Sequence, residues 1–139
     1  LPEPGFKYQA ALQRVDQKVA KLIGEEKQRT LRELAIAAVL SDYCAAVDLD
    51  KNKFTSTFDA LAATDLKRPT AEQRTLENNL MTYFGVYVGL LIAESTDREH
   101  EFCSVAETIK REKRPLSRFW LTPSPVTSAP VQSSTTARK

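Results

Sequence analysis

The chain has 139 residues, 42% hydrophobic and 27% charged, and its 20 Lys and Arg against 18 Asp and Glu leave a net charge of +2. These are the proportions of one folded globular domain, which excludes a disordered polyelectrolyte or a low-complexity chain. With no strong net field, neither a nucleic acid nor a lipid surface is an expected partner. The longest strongly apolar stretch, Leu80 to Ala93, falls short of the roughly 20 residues a spanning helix needs, so no membrane span is expected.

Gly24 alone breaks the first 63 residues after Gly5, and Pro69 and Pro115 bracket the centre of the chain. Such sparse punctuation predicts long helices rather than a many-stranded sheet. Residues 1–5 form an N-terminal extension. The first helix is predicted from Phe6 to Ile23, with Leu12, Val15, Val19, Leu22 and Ile23 as its apolar stripe and Gly24 closing it. Thr30 followed by Glu33 reads as a capping box that opens the second helix, whose stripe includes Leu34, Ile36, Val39, Leu40, Cys44 and Val47.

A short third helix is predicted from Lys53 to Ala63, with Asp50 or Asn52 as its cap, and then a loop to Pro69. Thr70 with Gln73 opens the longest helix, which reaches about Glu94. This helix is apolar all round from Met81 onward and is therefore placed at the centre of the bundle. Thr96 with Glu99 opens a fifth helix to about Lys113, with Phe102, Cys103, Ala106 and Ile109 inward. The expected architecture is all-α: a five-helix bundle over residues 6–114. Residues 115–139 form a C-terminal segment, disordered from about 122, where Ser, Thr and Pro dominate.

Cys44 and Cys103 fall on buried stripes of different helices, a placement that suits either two core thiols or one bridge. The bridge is the expectation, helped by a chain that starts at Leu1 without a methionine, as a processed exported protein or a trimmed chain would.

Residues able to run chemistry are sparse. His100 is the only histidine and sits on a charged helix face, and a Cys103–His100 nucleophilic pair would need an exposed thiol. No catalysis and no cofactor are expected. Asp48, Asp50, Asn52 and Asp59 match part of a calcium-loop spacing, but Lys53 occupies the position that wants glycine, and the interhelical turn is the preferred reading. Gly85 and Gly89 form a G-x-x-x-G that predicts close packing of another helix. Lys110, Arg111, Lys113, Arg114 and Arg118 gather where a helix ends and complement its dipole. Beside them Phe119, Trp120 and Leu121 form an apolar segment that is a candidate surface for a protein partner.

The stretch Phe102 to Glu107, an F-C-x-x-A-E pattern, resembles that of exported helical proteins of alphaproteobacteria with cysteine-flanked helices. The arrangement of Cys44 and Cys103 around the middle of a small helical chain is similar, more loosely, to HdeA-type periplasmic acid-stress chaperones. These resemblances imply a periplasmic or secreted location. The lack of a polar constellation able to run chemistry, with the expected bridge, makes a non-catalytic exported protein that binds a protein partner the leading expectation. Acid-triggered chaperoning and a calcium-responsive module stand as alternatives.

Overall fold

The computed structural model describes residues 5–63 and 70–122. Among these the chain forms five α-helices: α1 (Gln9–Ile23), α2 (Glu25–Tyr43), α3 (Lys51–Ala62), α4 (Ala71–Ser95) and α5 (Glu99–Arg111). A 3-10 turn, Pro115–Phe119, follows. The all-α bundle, the helix count and the bridge between Cys44 and Cys103 are as the sequence predicts. The tail beyond Thr122 lies outside the described residues.

Gly24 at φ 90° and ψ 163° joins α1 directly to α2. Its N–H closes α1 on the Ala20 carbonyl at 2.8 Å, and its own carbonyl accepts from Gln28 N–H at 3.0 Å to open α2. Thr30 therefore sits inside α2, its hydroxyl turned back to the Glu26 carbonyl, and caps nothing. Thr96 likewise bonds back to the Ile92 carbonyl at 2.7 Å, and α5 begins at Glu99. The predicted cap at Thr70 is present: its Oγ1 accepts from Gln73 N–H at 3.0 Å. Asp50 Oδ1 accepts from Lys53 N–H at 3.1 Å and caps α3.

The central helix is α2, not α4. Leu31, Leu34, Ala35, Ile36, Ala37, Val39 and Leu40 are buried around most of its circumference, and the other helices and the 3-10 turn all pack on it. Its alanines let neighbours approach from several sides. Among the described residues α4 is covered on one side only, by way of Leu80, Tyr87 and Leu91. On the opposite side Met81 is 61%, Val86 39% and Ile92 49% exposed.

The folded unit continues past residue 114. Leu116, Phe119 and Trp120 are core residues, and the strip around Trp120 runs antiparallel to the α2–α3 connection. Asp50 N–H donates to the Phe119 carbonyl and Leu121 N–H to the Asp48 carbonyl, both at 2.8 Å. The Trp120 indole N–H reaches the Ala37 carbonyl at 3.1 Å.

Candidate functional site

Cys44 ends α2, where its N–H still reaches the Leu40 carbonyl, and Cys103 lies in the second turn of α5. Their Cα atoms are 5.4 Å apart and the sulfurs are bonded. Cys44 is buried and Cys103 half-buried. No thiol is left for a Cys103–His100 pair.

Of the four residues of the calcium-like spacing, Asp48 and Asp50 precede α3 and Asn52 lies in its first turn, while the helix carries Asp59 away. Asp50 is committed to capping, while Asp59 lies two turns along α3. Among the described residues no group of three or more His, Cys, Asp or Glu side chains could hold a metal ion.

The proposed partner segment is mostly interior. Phe119 and Trp120 are buried, and Leu121 alone of the three turns outward, at 53% exposure. It borders a groove of about 870 Å³ in which Lys53, Lys110, Arg111, Lys113 and Arg118 face Asp50 and Glu107. Much of this positive charge has structural work. Lys110 Nζ donates to the Ala46 carbonyl at 2.6 Å, and Arg118 pairs with Glu33 at 2.7 Å while lying over the Phe119 ring. Lys113 closes α5 at φ 54°, with Arg114 N–H on the Ile109 carbonyl and Lys113 N–H on that of Lys110. This is a Schellman closure with lysine where glycine is usual.

Two buried polar arrangements escape sequence reading. Asp16 on α1 accepts from the Tyr87 hydroxyl at 2.6 Å, from the Gln28 amide at 2.9 Å and from Arg32 at 2.6 Å, which ties α1, α2 and α4 together. Burial, and then the hydrogen bond to Asp16, push the Tyr87 phenol well above its ordinary pKa of 10.0. It therefore keeps its proton and serves as a donor, not as a nucleophile or base. The second arrangement is Glu94, fully buried, whose carboxylate accepts from the Lys7 and Tyr8 N–H groups at the start of α1. Arg98 lies 3.6 Å away and compensates the charge. A carboxylate at a helix N-terminus satisfies donors that have no partner within the helix.

The surface that stands out is the outer side of α4. From Asn78 to Ala93 the helix carries no charged side chain, although over a quarter of the whole chain is charged. Contrary to the packing expected of the G-x-x-x-G, nothing among the described residues lies against its glycines: a Cβ at Gly85 or Gly89 would meet none of their atoms within 4 Å. Beside this face Phe54, Phe58, Met81 and Phe84 line a shallow apolar groove of about 300 Å³. The three phenylalanines pack edge to face and stacked, with centroids 5.6 to 6.3 Å apart.

No protein-family model, curated protein or solved structure matches the chain. What the fold and site define is a class: a disulfide-bridged five-helix bundle in which, among the described residues, α4 has a bare apolar face. No helix among the described residues is long and apolar enough to cross a membrane.

Proposed function

We propose that the protein is a non-catalytic interaction module that works in an oxidising compartment, periplasmic or extracellular. The observation that carries this reading is the outer face of α4, where exposed Met81, Val86 and Ile92 sit in a stretch without charge. Water-facing helices of free-standing domains normally carry a polar stripe on that side, and a contiguous apolar one marks a contact surface. The location is supported by the Cys44–Cys103 bridge, because such bonds persist where glutathione and thioredoxin do not reduce them.

Two measurements test the two halves. Thiol alkylation in intact host cells, before lysis, should leave both cysteines unmodified, and recovery of a doubly alkylated chain overturns the location. A photo-crosslinking residue placed at Ile92 in the native host should yield an adduct heavier than the single chain. Absence of any adduct, with the chain abundant and folded, overturns the interaction reading.

A further inference from the structure

Two crossing helices are closest at the crossing point and diverge on either side. Small residues therefore belong at the centre of such a contact and large ones toward its ends. The outer face of α4 has that profile. Gly85 and Gly89 are bare at the middle, and Met81 and Ile92 project at the two ends. The profile is also symmetric. The pair Gly85 and Gly89 is centred on Tyr87, and the pair Met81 and Ile92 is centred half a residue away, which is about 0.8 Å along a helix.

We propose that this face binds a second copy of the chain, the two α4 helices crossing antiparallel about a twofold axis near Gly85 and Gly89. An isologous contact requires a self-complementary patch, and this one meets that condition: a twofold sets glycines against glycines where the helices are closest and the large ends against each other where they diverge. The antiparallel arrangement sets Met81 of one copy level with Ile92 of the other. At 3.6 residues per turn Ile92 shares its flank of α4 with Met81 and Phe84. Each Ile92 therefore meets the groove of Phe54, Phe58 and Phe84 on the opposite copy. Along α4 charge agrees with self-association, because Asn78 to Ala93 bring no ionised group against its like; Asp59 lines the groove beside the seam.

This inference rests on the reading of α4 as a contact surface, and its test uses purified protein alone. Sedimentation of the oxidised chain should show a mass that climbs toward twice the monomer between about 10 µM and about 1 mM. The G85Q/G89Q chain places better helix formers in open space. It should melt no lower than the parent and yet stay monomeric over the same range, as should I92E. On oxidation, a mixture of M81C and I92C chains should link to each other, while M81C alone should not link to itself. The proposal is overturned by a parent chain monomeric at about 1 mM, by a dimer indifferent to G85Q/G89Q, or by preferential M81C self-linkage, which marks a parallel pair. A monomeric parent that floats with phosphatidylglycerol-containing vesicles overturns it in favour of a lipid surface. A monomeric parent with a heavier adduct from Ile92 in cells removes the dimer and leaves the interaction reading standing.

Discussion

Each oxygen of the Asp16 carboxylate is occupied, Oδ1 by Tyr87 and Gln28 and Oδ2 by Arg32. Removing the phenol with Tyr87→Phe deletes one hydrogen bond to a charged acceptor, and should cost about 1–2 kcal/mol by urea unfolding at neutral pH. It should also change the response to alkali. The folded state holds the Tyr87 proton more tightly than the unfolded chain does, so its contribution is complete below pH 10 and is lost as pH climbs above it. The parent midpoint should therefore fall between about pH 10 and pH 11.5, and that of Tyr87→Phe should fall less; equal slopes would refute the assignment. Tyr43, also raised by burial, leaves a residual slope in both. At the bridge, replacing Cys44 and Cys103 together by Ser should lower stability by about 4 kcal/mol, from the 59-residue separation they close. A loss under about 1 kcal/mol would show that the bridge restrains little. The cysteines were legible in the sequence because both fall on apolar stripes. Glu94 was not, since its partners are backbone N–H groups 86 and 87 positions away, which leave no mark on the residues around it.

Glycine acts oppositely in two helices. Gly24 turns the chain within one residue at φ 90°, a conformation that L side chains rarely adopt, so Gly24→Ala should cost about 1–3 kcal/mol although space is free around it. Gly85 lies inside α4 with equal space, and Gly85→Ala should instead stabilise by about 0.5–1 kcal/mol. Paired thermal melts at concentrations low enough to keep the chain monomeric check both signs. Helix existence was legible in the sequence from spacing alone, and starts were legible only where the local cap was the one used. Thr70 and Thr30 both carry the same signature, but Gly24 and the acidic Glu25 and Glu26 open α2 a turn and a half before Thr30 is reached. The misplacement of α4 at the centre has a related cause. An all-round apolar helix normally reports burial, and α4 carries its outward apolar face for association instead, as proposed above.

At the scale of the molecule, the segment after α5 completes the fold. Leu116, Phe119 and Trp120 fill the space between α2, α3 and α5, so a chain ended at Arg114 should lose its cooperative thermal transition and bind hydrophobic dyes. A sharp transition retained by that shortened chain would show that the bundle over 6–114 stands alone. The sequence marked these residues as apolar but not as interior, because a short aperiodic run acquires its place only from its pairing with Asp48 and Asp50. The candidate site was partly legible: the G-x-x-x-G and the apolar run were visible, and the missing neighbour was not.

The bridge also has a consequence in time. Cys44 leaves the ribosome 59 residues before its partner, an interval of roughly 3–12 s at 5–20 residues per second. The same order holds for α1, whose first turn waits for Glu94, and for the α2–α3 connection, which waits for Trp120 and Leu121. Three ties between early and late chain thus fall due within one stretch, from Glu94 to Leu121. The amino-terminal half must reach that moment with its thiol unspent, and oxidation waits until α5 has been made.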